Sequence, residues 1–224
     1  MIKYILFDLD GTILDFNKGE ADAFKRSINK FSDIKIKDED VKKFSQINDY
    51  YFNQYKNGLM DRPTFHYHRF EEIAKYLNID IDIISCNKKY VNLLKYEAQI
   101  YDDVIDTLNY LSNKYELYVA SNGMEDIQKS RMELAHIDHY FKKAYISAAI
   151  GYNKPEKGFF DYIFNDLNDF DRNNYIIIGD RLDSDILGGK NSHIHTIFVN
   201  REGIKANNEA EYEIKSLAEI KNIL

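Results

Sequence analysis

Apolar residues recur every three or four positions between about residue 18 and residue 98, which is the period of a helix. Phe24, Ile28 and Phe31 form one such stripe. The pattern breaks within "YKNGLMDRP" and again near "NIDIDIISCNKK", where turn-forming residues gather. This segment therefore predicts a bundle of about four helices that contains no strand.

After residue 100, short apolar runs alternate with helical stretches. The predicted strands are "ELYVAS", "AYISAAI", "YIIIGD" and "HTIFVN". The predicted helices are "YDDVIDTLNYLSNKY", "MEDIQKSRMELAHI", "EKGFFDYIFNDLN" and "DSDILGGK". Such alternation implies an α/β fold with a parallel, doubly wound sheet, to which the run "YILFD" belongs by type. We therefore expect a core domain of residues 1–17 and 99–224, with residues 18–98 inserted after the first strand as a helical domain.

The bulk composition narrows the possible partners and compartments. The chain has 224 residues, enough to bury a core without disulfides, and we expect its single cysteine, Cys86, to be a core residue. The first apolar run is short and ends in acids, so it predicts neither a signal peptide nor a membrane span. We expect a soluble, cytoplasmic protein without a membrane partner. The net charge of -7 disfavours binding to a nucleic-acid polymer, which depends on Lys and Arg.

Polar residues gather where the predicted strands end. They are Asp8 and Asp10; Ser121, Asn122 and Gly123; Lys154; and Asp180, Asp183 and Asp185. Taken singly, each group has an ordinary explanation, such as a solvated turn, a helix cap or a loop cation. In an open parallel sheet, however, ligands bind at the carboxyl ends of the strands, so these groups should converge.

Four motifs in this order resemble those of the haloacid dehalogenase (HAD) superfamily: "DLDGT", "SNG", "NKPE" and "GDRLDSD". The helical insertion occupies the position of that superfamily's C1 cap, so the resemblance covers nearly the whole chain and implies a Rossmann-like core. Within the superfamily, "NQYKNG", "SNGMEDIQKSRMELAHIDHYF" and "GDRLDSDILGG" are similar to stretches of bacterial pyrimidine 5′-nucleotidases, which act on ordinary and noncanonical nucleoside monophosphates.

The resemblance implies a phosphomonoester hydrolase that depends on Mg²⁺ and acts through an aspartyl-phosphate intermediate. It gives Asp8 the role of nucleophile and Asp10 that of general acid and base. The implied Mg²⁺ ligands are the carboxylates of Asp8 and Asp180 and the backbone carbonyl of Asp10, with Asp185 in a supporting role. Whether Asp183 assists stays open. The implied phosphate-binding residues are Ser121, Asn122, Gly123 and Lys154.

Electrostatics explains why such a site needs a cation. A carboxylate about 4 Å from a phosphate oxyanion is repelled by roughly 4 kcal/mol per charge pair at an effective dielectric of about 20. Mg²⁺ prefers a few carboxylates together with phosphate and water. Asp10 in turn favours phosphoryl transfer over dehalogenation, because a halide leaves without a proton.

Other functions stay open at this point. A sugar-phosphate or phosphoglycolate phosphatase, or a phosphomutase of the same superfamily, would share these core residues. A phosphorylation-dependent signalling domain or an inactive binding domain is the alternative from a different class. We expect most aromatic residues of the helical segment to be core, with one or two able to stack on a nucleobase: Tyr50, Tyr51, Phe52, Tyr55, Phe65 and Tyr67. The oligomeric state does not follow from the sequence.

Overall fold

The computed structural model describes residues 1–205 and 207–224 and confirms the predicted α/β class. In this part of the chain, six strands form one sheet in the order β3-β2-β1-β4-β5-β6, and all neighbouring pairs are parallel. The strands are β1 (Tyr4–Phe7), β2 (Glu116–Ser121), β3 (Lys143–Ile146), β4 (Tyr175–Gly179), β5 (His195–Val199) and β6 (Tyr212–Ile214).

Strand β1 lies between β2 and β4 in the sheet, which explains its continuous apolar sequence. Ile5 and Phe7 pack into the hydrophobic core on one face of the sheet, and Leu6 packs into the core on the other face. All three side chains are fully buried. The carboxyl end of β1 therefore lies between the ends of β2 and β4.

Contacts divide the chain into two compact units, residues 1–15 with 98–224 and residues 16–97. The second unit consists of four helices and contains no strand, as the periodicity predicts. Its helices are α1 (Phe16–Ile28), α2 (Asp38–Lys56), α3 (Arg62–Leu77) and α4 (Ile83–Leu94).

The helical unit has its own aromatic core. Phe44 stacks on Phe24 with ring centroids 4.2 Å apart and contacts Tyr90 edge-on at 5.4 Å. Cys86 is buried in the same core, as expected. Of the six aromatic residues singled out in the sequence, however, Phe65 alone is buried. The expectation that most of them are core is therefore wrong, because the core stripe of each helix passes through other positions.

The sheet-forming unit adds five helices in its described residues: α5 (Val104–Ser112), α6 (Glu125–Leu134), α7 (Ser147–Ile150), α8 (Lys157–Leu167) and α9 (Leu187–Asn191). Short 3-10 turns cover Asp138–Tyr140, Arg172–Asn174 and Leu217–Asn222, and a π-helical turn, Leu182–Ile186, leads into α9. No helix among the described residues is both long and apolar enough to cross a membrane.

Three details differ from the sequence-based expectation. The predicted strand "AYISAAI" ends at Ile146, and its second half forms α7, which Gly151 terminates in the left-handed region at φ 86°. The stretch "DSDILGGK" starts as a π-helical turn rather than as an α-helix. Strand β6 has no counterpart in the prediction, because it is only three residues long and exposes Tyr212 and Glu213.

Candidate active site

The sheet order brings the predicted site residues to one edge. Asp8 follows β1, Ser121 ends β2 and Asp180 follows β4, and these three strands are adjacent and parallel. The main-chain N–H of Asp8 donates to the carbonyl of Ile178 at 2.9 Å, which continues the β1–β4 ladder up to the first acid. Strand topology thus brings Asp8 to groups that lie more than a hundred residues later in the sequence.

Lys154 joins Asp8 to a further acid, Asp185, from a fully buried position. Its Nζ donates to Asp8 Oδ1 at 2.7 Å, to Asp185 Oδ1 at 2.6 Å and to the carbonyl oxygen of Ala120. Burial alone would lower the pKa of Lys154, but the charges of Asp185 and Asp8 outweigh it and raise this pKa above its ordinary value. The ammonium group therefore stays charged beside Asp8.

The segment that carries Lys154 is held by Asn122. The side-chain Oδ1 of Asn122 accepts from the main-chain N–H of Lys154 at 2.7 Å, and its Nδ2 donates to the carbonyl of Lys154 at 2.8 Å. This pair of hydrogen bonds positions the ammonium group. Because it engages the side chain of Asn122, the main chain of Asn122 would be the part that binds a phosphate. Two carboxylates, those of Asp8 and Asp185, pair with the cation, and helix α8 starts after it, at Lys157.

Three carboxylates form the acidic cluster of the site. Oxygen atoms of Asp8, Asp180 and Asp185 lie within 4.8 Å of one another. Burial raises the pKa of Asp8 well above its usual range against the pull of Lys154, and burial together with the charge of Asp185 raises the pKa of Asp180 to about 7. Without a further cation the cluster is therefore electrostatically strained.

The acidic cluster fits a divalent cation. Three carboxylates and one ammonium group leave a charge of -2 when all are ionised. Thr12 donates its hydroxyl to Asp180 Oδ1 at 3.1 Å, which orients that carboxylate. At Gly11, φ is +84°, and a Cβ would lie 2.2 Å from Asp180 Oδ2, so only glycine lets the backbone pass there. Hard oxygen ligands of this kind suit Mg²⁺.

Asp185 and Asp183 have different surroundings. Asp185 is buried, and its Oδ2 accepts from the main-chain N–H of Arg181 at 3.0 Å while its Oδ1 faces Lys154. Asp183 lies outside the acidic cluster; its side chain is half exposed and accepts from Arg181 Nε at 3.3 Å. The structure therefore places Asp185 in the cluster, and Asp183 at its periphery.

Ser121 and Asp10 have partners that the sequence reasoning missed. The hydroxyl oxygen of Ser121 accepts from the main-chain N–H of Gly123 at 3.1 Å and from Gln128 Nε2 at 2.9 Å. The carboxylate of Asp10 is bound by Gln128 and Arg131, both on α6. A signal was available, because Gln128 and Arg131 continue from Met124 at helical spacing, where a buried face normally carries apolar residues.

Comparisons with known proteins agree with this geometry. The family model of haloacid dehalogenase-like hydrolases matches residues 5–199. The HAD-hydrolase YfnB of Bacillus subtilis is 30% identical, with 99% of this chain and 95% of YfnB covered. A crystal structure of YfnB bound to magnesium superimposes with a TM-score of 0.92 at 29% identity, covering 99% of this chain and 98% of the other.

Two further relatives carry an activity in their names. The pyrimidine 5′-nucleotidase PynA of Streptococcus pneumoniae is 29% identical over 99% of this chain and 97% of its own length. The pyrimidine 5′-nucleotidase YjjG of Escherichia coli is 27% identical, again with 99% of this chain and 97% of the relative covered.

Proposed function

The chain belongs to the haloacid dehalogenase-like hydrolases and is a phosphatase of that family, and we propose that its substrates are nucleoside 5′-monophosphates, pyrimidine before purine. The observation that carries the chemistry is the buried contact between Asp8 and Lys154 beside two further carboxylates. The nucleotide preference rests on the similarity to the two pyrimidine 5′-nucleotidases along nearly the whole chain.

The proposed reaction has two steps, in which Asp8 accepts the phosphoryl group and passes it to water, and Asp10 donates and then takes back a proton. A carboxylate oxygen of Asp8 bonds to phosphorus as the bond between phosphorus and the ester oxygen breaks, and Asp10 gives its proton to that oxygen. Water then attacks the phosphorus, the bond to Asp8 breaks, and Asp10 takes the proton of the water. Asp8 regains its carboxylate, so both residues return to their starting states.

The remaining residues would prepare the charge and position of the phosphoryl group. Lys154 offsets negative charge next to Asp8, and the hydroxyl of Ser121 with the main-chain N–H groups of Asn122 and Gly123 would hold phosphate oxygens. Mg²⁺ would be held by the carboxylates of Asp8 and Asp180 and the carbonyl of Asp10, with Asp185 in support. It would neutralise the repulsion between nucleophile and phosphate.

A substrate panel tests the proposed function. Rates in Mg²⁺ are measured for uridine, cytidine, adenosine and guanosine 5′-monophosphates, for glucose 6-phosphate and phosphoglycolate, and for p-nitrophenyl phosphate. A base stacked on an aromatic residue gains roughly 1 to 3 kcal/mol, so kcat/KM for nucleotides should exceed that for the sugar phosphates by about 5- to 150-fold. The Asp8→Asn variant, purified in the same way, controls for a contaminating phosphatase.

Two results would revise the proposal. Comparable kcat/KM for nucleotides and sugar phosphates would reject the nucleotide preference and leave a phosphatase of another specificity. Transfer of phosphate to a second hydroxyl of a sugar phosphate, instead of release, would point to a phosphomutase.

A further inference from the structure

Asp10 is held by the side chains of Gln128 and Arg131, which have no part in the proposed reaction steps. Gln128 Nε2 donates to Asp10 Oδ2 at 2.7 Å, and Arg131 Nη1 donates to Asp10 Oδ1 at 2.5 Å. Gln128 and Arg131 are 1% and 2% exposed and lie three residues apart on α6, so they project from the same face of this helix. Both oxygens of Asp10 are thus fixed from one side.

The amide of Gln128 has only one orientation that satisfies its neighbours. Nε2 donates both to Asp10 and to the Ser121 hydroxyl oxygen, while Oε1 accepts from Arg131 Nη1 at 3.0 Å. A flipped amide would turn its oxygen toward the carboxylate of Asp10 and lose these contacts. Gly123 leaves room for this side chain, because a Cβ there would lie 2.5 Å from Gln128 Nε2.

Gln128 also determines what the Ser121 hydroxyl can do. The Ser121 oxygen accepts from Gln128 Nε2 and from the N–H of Gly123, which uses both of its lone pairs. The hydroxyl can then make a further hydrogen bond only as a donor, and a donor is what a phosphate oxygen requires. One amide group therefore connects the proposed proton donor to a proposed phosphate-binding hydroxyl.

Burying the guanidinium of Arg131 carries a desolvation cost, so packing alone does not explain its position. A buried guanidinium and carboxylate often stabilise a fold less than apolar side chains of the same volume would. Asp10 is still 28% exposed on its side chain, so the pair is dry on the Arg131 side and open on the other. Such an arrangement restricts the carboxylate to one orientation while leaving it accessible to a substrate.

We propose that Gln128 and Arg131 are positioning residues for proton transfer by Asp10, and that Gln128 in addition orients the Ser121 hydroxyl toward phosphate. This inference rests on the proposed function. Neither residue bonds to the substrate in the proposed reaction; both act through Asp10, and Gln128 acts through Ser121 as well. Their effect is to reduce the rotational freedom of Asp10, so that the proton reaches the ester oxygen as the bond to phosphorus breaks.

The test compares leaving groups. The variants are Arg131→Met and Gln128→Met, which keep length but remove the donors, and Arg131→Lys, which keeps one. Lys129→Met is the matched control, because Lys129 lies on the same helix, is exposed and pairs with the exposed Glu125. The substrates are p-nitrophenyl phosphate, whose phenolate leaves without help, and uridine 5′-monophosphate, whose alkoxide needs a proton.

We expect Arg131→Met and Gln128→Met to lower kcat on the nucleotide by about 10²-fold, and kcat on p-nitrophenyl phosphate by less than about tenfold. Arg131→Lys should recover part of the nucleotide rate, and Lys129→Met should behave as wild type. In an Asp10→Asn background, adding Arg131→Met should not change the ratio of the two rates further, because the two residues act as one unit.

A loss of kcat by the same factor on both substrates would leave the ratio of the two rates unchanged. That result would overturn the positioning role and leave a structural one. If Arg131→Met does not fold, Arg131→Lys and Gln128→Met give the same comparison. Wild-type activity on sugar phosphates but not on nucleotides would reject the nucleotide preference alone, and glucose 6-phosphate would then replace the nucleotide. A wild type inert toward all of these esters in Mg²⁺ would reject both proposals.

Discussion

Asp8 and Lys154 form a buried contact whose two members should respond differently to substitution. The Asp8→Asn amide has almost the same shape and its oxygen still accepts from Lys154 Nζ, so the fold should persist. An amide cannot act as the proposed nucleophile, so the rate should fall by at least about 10³-fold. Initial rates with p-nitrophenyl phosphate and a melting curve test this. Appreciable activity at saturating Mg²⁺ would contradict the nucleophile assignment.

Lys154→Met should impair both folding and activity. Removing the ammonium group leaves Asp8 and Asp185 buried without their cation, and breaking a buried ion pair from one side costs about 3 to 5 kcal/mol. Urea denaturation in the absence of metal measures this loss. Lys143→Met is the matched control, because Lys143 pairs with Asp166 at a partly exposed site where the loss should be below about 1 kcal/mol. Equal losses in the two variants would contradict the importance of burial.

At the scale of helices, one polar network connects all four members of the helical unit. Glu20 of α1 accepts from Ser45 Oγ and Asn48 Nδ2 of α2, both at 2.7 Å, and from the hydroxyl of Tyr90 of α4 at 3.4 Å. Arg69 of α3 donates to Asn48 Oδ1 at 2.8 Å. Helices that share an apolar core are thereby also fixed in register by directional bonds.

This network should make the stability of the helical unit depend on pH. Burial raises the pKa of Glu20 to about 7 with help from Asp49, although the Ser45 hydrogen bond and Arg69 favour the carboxylate. The folded state therefore binds more protons than the unfolded state between about pH 4.5 and 7, so the free energy of unfolding falls as pH rises through this range. The total loss is about 3 kcal/mol.

Glu20→Gln isolates that effect. Urea denaturation of wild type and variant between pH 5 and 8 should show a smaller fall with pH in the variant. Asp8 and Asp180, whose pKa values are also raised, are present in both proteins and cancel in the difference. Parallel curves for the two proteins would show that Glu20 does not titrate in this range.

The start of α3 depends on a side-chain cap. Asp61 accepts from the main-chain N–H of Thr64 at 2.8 Å, and hydrogen bonds from the side chain and then the main chain of Thr64 lower the pKa of Asp61. Asp61→Ala should lower the free energy of unfolding measurably, because the main-chain N–H of Thr64 loses its acceptor. Asp33→Ala, at an exposed position between α1 and α2, removes the same charge without a cap and should have little effect. A loss of the same size in both would contradict the capping role.

For the whole molecule, metal binding and stability should be coupled. At pH 8 the ionised Asp180, with a pKa near 7, strains the metal-free protein, so Asp180→Asn should melt higher than wild type in EDTA. Mg²⁺ should stabilise wild type by about 2.7 kcal/mol at a hundred times its dissociation constant, and the variant much less. Activity should disappear on chelation and return with Mg²⁺. Melting curves in EDTA and in MgCl₂ test this, and equal stabilisation of both proteins would contradict the assignment of Asp180.

Local patterns of the sequence determined much of this protein. A short apolar run and a period of three to four residues are each set within one element, so β2, which spans Glu116–Ser121, and the four helices of residues 16–97 could be predicted without knowledge of their neighbours. The motifs that follow the predicted strands placed Asp8, Ser121, Lys154 and Asp180 at one edge, because parallel strands end at the same edge of a sheet. The short edge strand β6 carries too few residues for a period and was missed.

Only the tertiary structure decided which side chains meet. The contact between Gln128 and Asp10 spans 118 residues, and that between Lys154 and Asp8 spans 146. Such pairs form because parallel strands align their carboxyl ends and α6 turns one face toward them, which no local periodicity records. The roles of Asn122 in holding Lys154 and of Arg131 in holding Asp10 therefore follow from three-dimensional packing, since a hydrogen bond depends on distance and direction between atoms and not on their separation along the chain.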